Sequence, residues 1–169
     1  KHHFKEIHSE RMITRLGEGL SGSGHLTDNA VARTVSTLKD FRTIIDRYMI
    51  NEVVVTATSA AREAKNRQYF IDLVRKETGF DIEVISGEEE ARRTFLGIMQ
   101  GIGKGSGDIV AIDIGGGSTE FILGKEGRIK EKISSNLGVV KLTEIYIKSD
   151  PILQSDLMRM QGEIRAMIR

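Results

Sequence analysis

Ile109-Val110-Ala111-Ile112-Asp113-Ile114-Gly115-Gly116-Gly117-Ser118-Thr119-Glu120-Phe121-Ile122-Leu123 is the stretch from which the rest of the chain is read. A short apolar run ends on an acidic residue, crosses three consecutive glycines and a serine, and re-enters residues of β type, which predicts strand, tight loop, strand. Glycine has no Cβ, so successive N–H groups can crowd around an anion and adopt dihedrals closed to other residues. Asp113, at the strand end, is placed to hold a hard cation against that anion. The pattern points to a phosphate-and-metal loop. Two commoner phosphate loops are excluded by residue type. A P-loop requires Gly-Lys-Ser/Thr opening a helix, whereas Gly117 is followed by Ser118 and Thr119. The dinucleotide fingerprint requires a third glycine where Glu120 stands, and a helix after it. A plain glycine-rich hairpin turn is the alternative; the flanking acids Asp113 and Glu120 argue for a site.

The sequence of 169 residues allows one large domain or two small ones. With 39% hydrophobic and 29% charged residues it has the composition of a soluble globular protein. A net charge of +1 gives no reason to expect nucleic acid or a membrane surface as partner, and no apolar run approaches the length of a spanning helix. The N-terminus does not read as a signal peptide. Absence of cysteine excludes disulfides and thiolate metal sites, and a cytoplasmic location is the expectation. His2, His3 and His8 are the only hint of a histidine metal cluster, and positions on a strand or terminal stub explain them more simply.

Working outward, Phe4 to Leu16 reads as a strand, followed by a glycine- and serine-dense connector from Gly17 to Gly24. Thr27 predicts the cap of a long helix whose apolar stripe is Val31, Val35, Leu38, Phe41, Ile45 and Tyr48. Val53-Val54-Val55 is a buried-strand signature within Glu52 to Thr58. Thr58, Ser59 and Arg62 then open a short helix at the carboxyl end of that strand, where open α/β sheets gather ligands. Two readings stand there: an anion site, or an N-cap with a surface arginine. A helix from Asn66 stops at Gly79, and a short strand spans Asp81 to Ile85. Ser86-Gly87-Glu88-Glu89 fits a capping box. The helix dipole accounts for Glu88 and Glu89, whereas Glu90 stands just before the apolar face, where a carboxylate near a phosphate could deprotonate water. Gly101 to Gly107 is the most linker-like stretch, so the expected units are 1–105 and 106–169. After the central hairpin come a third strand, Arg128 to Ser134, a helix opened by Leu137-Gly138, and a last helix starting at Asp150-Pro151 with Ile152, Leu153, Leu157, Met160, Ile164 and Ile168 on one face.

The second half thus reads strand, loop, strand, strand, helix. The first begins with what would be the third strand of the same unit, so if the halves are repeats the chain is a fragment lacking one hairpin.

Three motifs now stand in order: Ala57-Thr-Ser-Ala-Ala-Arg-Glu-Ala64, Ser86-Gly-Glu-Glu-Glu-Ala-Arg92 and Asp113-Ile-Gly-Gly-Gly-Ser-Thr-Glu120. In combination the chain resembles the exopolyphosphatase and guanosine pentaphosphate phosphatase family, within the actin-like, Hsp70-like ATPase superfamily. The resemblance runs from the loop before Thr27 through Gly138-Val-Val-Lys-Leu-Thr-Glu144. It implies an α/β, ribonuclease H-like fold of actin/Hsp70 type, a mixed sheet with flanking helices in two lobes. It also implies removal of the terminal phosphate from inorganic polyphosphate, or of the 5′ γ-phosphate from pppGpp, with Mg²⁺ or Mn²⁺. By matching motif, Glu90 corresponds to the catalytic base, and Asp113 and Glu120 to acids that bind the metal or position water. Gly115, Gly116, Gly117 and Ser118, with Thr119, correspond to the phosphate loop, while Arg62 matches an arginine near the phosphates beside Thr58 and Ser59. The family's N-terminal Asp-x-Gly-Ser-Asn-Ser-type loop has no counterpart in this sequence. Large family members are often dimeric, which implies a homodimer through regions outside this chain. Competing readings are a nucleotide-dependent kinase or ATPase of the same superfamily, and a non-catalytic sensor of polyphosphate or an alarmone such as ppGpp.

Overall fold

The computed structural model describes residues 5–102 and 107–168. The element order is α1 (Leu20–Ser23), α2 (Asp28–Arg47), β1 (Val55–Ala57), α3 (Ser59–Glu63), α4 (Arg67–Thr78), β2 (Ile82–Val84), α5 (Gly87–Ile102), β3 (Asp108–Ile114), β4 (Thr119–Lys125), β5 (Arg128–Ser135), α6 (Val139–Tyr146) and α7 (Gln154–Met167). Two sheets result: β1 and β2 pair in parallel, and β3, β4 and β5 form an antiparallel meander. Parallel pairing needs a crossover, which α3 and α4 supply. The arrangement is α/β with flanking helices, as expected, with the parallel and antiparallel pairings held in separate sheets.

Two apolar cores follow from the helix stripes. Val31 and Val35 of α2 meet Phe70 and Val74 of α4, with Leu20, Leu26 and Phe80 closing the cluster. Ala91 and Phe95 of α5 lie on Ala111 of β3 and Ile122 of β4 in the second. That contact explains Gly124: a Cβ there would stand 2.4 Å from the Phe95 ring. Helix α5 therefore packs on the three-stranded sheet although its sequence precedes the expected junction; the 105/106 boundary itself lies outside the described residues. The sheet's other face leaves Val110, Ile112, Ile114 and Ile133 more than half exposed.

Local chemistry sets the element ends. Thr27 Oγ1 accepts the Ala30 amide at 3.2 Å, the cap read from the sequence. Thr27→Ala is expected to cost about 1 kcal/mol, seen as a lower unfolding midpoint in thermal or urea melts; an unchanged midpoint would remove the cap from the helix's stability. Gly79 ends α4 with φ 72°, the left-handed conformation that glycine takes without strain. At Ser86 only half of the capping box forms. Its Oγ accepts the Glu89 amide at 3.1 Å, but the Glu89 carboxylate turns to Arg92 and Arg93, both at 2.7 Å. Hydrogen bonds from Arg92 and then Arg93 bring Glu89 down to about 2.

Several expectations are corrected. Residues 5–15 form no strand, and Ile7 and Ile13 are 65% and 80% exposed. No neighbouring strand is present among the described residues to take their backbone groups, and an unpaired strand has nothing to hold it; Phe4 lies outside them. The connector from Gly17 contains the single-turn helix α1 between left-handed Gly19 and Gly24. Val53 and Val54 precede the first paired residue, Val55, and Val54 is 79% exposed. The last helix begins at Gln154, not at Asp150, and Ile152 and Leu153 are exposed ahead of it. What α7 buries is Asp156, whose Oδ2 accepts the Lys148 amide at 3.1 Å. No helix among the described residues is long and apolar enough to cross a membrane.

Candidate active site

The glycine stretch forms the bend between β3 and β4. Gly115 donates its amide to Ser118 O at 2.9 Å, closing the turn. The carbonyls of Gly115 and Gly116 point the other way, accepting the amides of Val139, Val140 and Lys141 at 3.0, 3.0 and 3.2 Å. The bend thereby satisfies the first-turn donors of α6, which have no partner within their own helix. With its carbonyls spent on α6, the bend presents the N–H groups of Gly116, Gly117 and Ser118, for which no acceptor is found among the described residues. Consecutive unpaired amides on a concave bend form an anion cradle. Glycine is required by contact here: a Cβ on Gly117 would lie 2.2 Å from Ser59 Oγ, and one on Gly138 would lie 2.3 Å from Gly116 O.

This bend walls a cavity of about 220 Å³ that also takes in Thr58, Ser59, Ala60 and Glu63 from the end of β1 and from α3, and Glu90 from α5. The sheet-end position expected for Thr58 and Ser59 thus coincides with the bend. Thr58 makes no side-chain cap to α3, so its hydroxyl is not consumed as the N-cap reading requires. Thr119 is the residue of the loop that turns away. Buried, it donates its hydroxyl to Leu137 O beneath the bend and does not line the cavity.

Of the expected carboxylates, Glu90 lines the cavity, whereas Asp113 and Glu120 do not. Asp113 and Glu120 face each other in register across β3 and β4. Asp113 Oδ2 accepts from Thr94 Oγ1 at 2.9 Å; Glu120, only 1% exposed, accepts from Ser134 Oγ at 2.8 Å. Gly87 lets the start of α5 sit close to Ser134, since a Cβ would meet its Oγ at 2.5 Å. Glu90 sits in the first turn of α5 with its side chain 16% exposed, held by Arg62 Nη1 at 3.2 Å. Burial raises the Glu90 pKa first and the negative charge of Glu120 raises it further; the Arg62 guanidinium and a Thr58 hydrogen bond oppose this without overcoming it. Of the three glutamates, Glu88 is 79% exposed near Lys132 and Glu89 is committed to two arginines, leaving Glu90 as the one at the cavity.

Arg62 is placed one step back from the position expected of it. Its Nη1 also donates to Ile85 O at 2.8 Å, so it braces Glu90 against the end of β2 and does not line the cavity. Four charged or hydroxyl-bearing residues that the sequence reading did not single out also line it: Glu63, Lys141, Arg15 and Ser21. Glu63 had a local signal, since it stands one helical turn after Ser59, whose Oγ donates to Glu63 Oε1 at 2.8 Å. Lys141 had none, because its partner Glu63 Oε2, at 3.1 Å, is 78 residues away in sequence. Arg15 falls in the stretch read from the sequence as a strand, and Ser21 in the glycine- and serine-dense connector. His8 lies 3.3 Å from Glu10, remote from this site; His2 and His3 lie outside the described residues.

With this geometry in place, comparison with known proteins gives the following. The model of the Ppx/GppA phosphatase family matches residues 1–169. Over 151 residues the chain is 36% identical to exopolyphosphatase 2 of Mycobacterium tuberculosis, covering 86% of this chain and 47% of that protein. It is 41% identical over 151 residues to a bifunctional 3-dehydroquinate synthase/phosphatase of Fusobacterium nucleatum subsp. nucleatum, covering 88% of this chain and 23% of that one. An exopolyphosphatase structure from Cytophaga hutchinsonii matches with a TM-score of 0.84 at 37% identity, over 90% of this chain and 49% of the other. The Aquifex aeolicus Ppx/GppA family member matches with a TM-score of 0.68 at 36% identity, over 88% and 48%. The chain therefore spans about half the length of the exopolyphosphatases it matches. Sequence over its full extent and fold over nine-tenths of it agree, and the chain belongs to the Ppx/GppA phosphatase family.

Proposed function

We propose that this chain carries the phosphate cradle and base of a metal-dependent phosphohydrolase that releases the terminal phosphate of inorganic polyphosphate or the 5′ γ-phosphate of pppGpp. The observation that carries the reading is a single cavity walled both by the bend with the unpaired Gly116, Gly117 and Ser118 amides and by the partly buried Glu90 carboxylate. A phosphate chain repels anionic nucleophiles, so catalysis depends on fixed donors around the phosphoryl oxygens and a group that takes a proton from water. The bend supplies the donors. Glu90, its affinity for protons raised by burial and by Glu120, is suited to accept the proton as water attacks phosphorus and the bridging P–O bond breaks, leaving a chain one phosphate shorter. Arg62 holds the Glu90 carboxylate in place.

Among the described residues no group of three or more His, Cys, Asp or Glu could by itself hold a metal ion. Mg²⁺, however, is commonly bound by one or two carboxylates completed by substrate phosphates and water. The donor set fits that mode: Glu120 is buried with a serine hydroxyl on one oxygen, and Asp113 faces it across the strands. Asp113 and Glu120 are the residues that would hold Mg²⁺ or Mn²⁺, which would supply charge neutralisation at the phosphoryl oxygens.

The test is phosphate release by the full-length protein with Mg²⁺, offering polyphosphate and pppGpp side by side without other nucleotides. Release from at least one is expected, lost on chelation with EDTA and restored by added Mg²⁺. Phosphoryl transfer that requires ATP would overturn the reading in favour of a kinase or ATPase. Calorimetric binding without release would overturn it in favour of a sensor.

A further inference from the structure

Lys141 plays no part in the mechanism above, yet its placement is tightly determined. Its own amide donates to Gly116 O, so the residue is fastened to the phosphate bend through its backbone. Its ammonium reaches Glu63 Oε2 at 3.1 Å, and both side chains, 26% and 35% exposed, line the cavity. The other Glu63 oxygen is occupied by Ser59. An ion pair this accessible to water contributes little to stability, so the lysine can exchange its partner at low cost. Arg15, just ahead of the Gly17–Gly24 connector, lines the same cavity with φ 51°, a left-handed conformation uncommon outside glycine. Two cationic residues thus line the same cavity as the bend with the unpaired amides.

We propose that Lys141 is a substrate-binding residue that leaves Glu63 for the phosphoryl group adjoining the one being cleaved, with Arg15 as its companion cation, so that the site selects condensed phosphates over single phosphate esters. The inference rests on the phosphohydrolase reading for its substrate class. Glu63 acts as the resting partner that holds the ammonium in the cavity before substrate arrives. Because Lys141 and Glu63 have opposite parts, removing their charges has opposite effects on ligand affinity, which a merely structural ion pair would not produce.

The experiment is calorimetric titration of the full-length protein with inorganic tripolyphosphate and with orthophosphate, together with the KM for phosphate release from polyphosphate. Lys141→Met is expected to weaken tripolyphosphate about tenfold and orthophosphate far less, with KM rising in parallel. Lys141→Arg restores most of the affinity and serves as the control for folding. Glu63→Gln, which keeps an acceptor for Ser59, tightens tripolyphosphate about two- to threefold by freeing the ammonium. Equal weakening by Lys141→Met and Glu63→Gln, no change from either, or no binding of tripolyphosphate to the wild type would overturn the proposal. Wild-type binding with the expected opposite shifts, but without phosphate release, would overturn the hydrolase reading and leave Lys141 in its role.

Discussion

Glu90→Gln in the full-length protein is expected to lower phosphate release by about 100- to 10,000-fold, the range that a positioned general base contributes. Glutamine keeps the volume and still accepts from Arg62, so tripolyphosphate should bind the variant. Wild-type turnover in it would remove Glu90 from the base role. The pH profile supplies a second readout. Only the ionised carboxylate can take a proton, and burial together with Glu120 raises the Glu90 pKa. Activity should therefore fall on acidification at a higher pH than for an ordinary glutamate. An acid limb at the position of an ordinary glutamate would detach it from Glu90.

Gly138→Ala is expected to be the most damaging Gly→Ala change among the described residues. The added methyl carbon would stand 2.3 Å from Gly116 O and from the Gly117 backbone, and backbone cannot rotate aside as a side chain can. The bend and the start of α6 must separate, breaking the hydrogen bonds that the Val139, Val140 and Lys141 amides donate to the Gly115 and Gly116 carbonyls and that hold the bend in place. We expect a loss of about 2–3 kcal/mol in urea unfolding, with weakened tripolyphosphate binding. Gly97→Ala is the matched control. Gly97 lies inside α5 with nothing within 4 Å of the added carbon, so the same change should stabilise by about 0.5–1 kcal/mol. If the two variants unfold alike, the close approach at Gly138 does not constrain the bend.

Much of this arrangement was legible in local sequence because its causes are local. Three glycines between two apolar runs could be little other than a tight bend between strands, and β3 and β4 pair directly across it. Thr27, Gly79 and Gly138 marked helix ends through chemistry confined to a single turn. Glu90 was separable from Glu88 and Glu89 by its phase on the helix alone. Where the local signal misled, the missing cause was a partner. Residues 5–15 have strand composition but, among the described residues, no strand beside them, and Val54 is apolar but lies one residue ahead of β1 and its pairing with β2.

The sequence by itself determined the strand–bend–strand unit, the acids flanking it and the family to which the motifs point, since residue type and spacing along one segment set backbone geometry. Tertiary structure alone decided which of those groups meet. Folding brought Lys141 to Glu63, moved Arg62 behind Glu90, turned Thr119 beneath the bend and drew Arg15 into the cavity. Contacts of that kind depend on how the ends of β1, β3 and α5 converge. The bends and helix starts at those ends carry the polar groups, and their convergence follows from packing two separate apolar cores and not from any one stretch of chain.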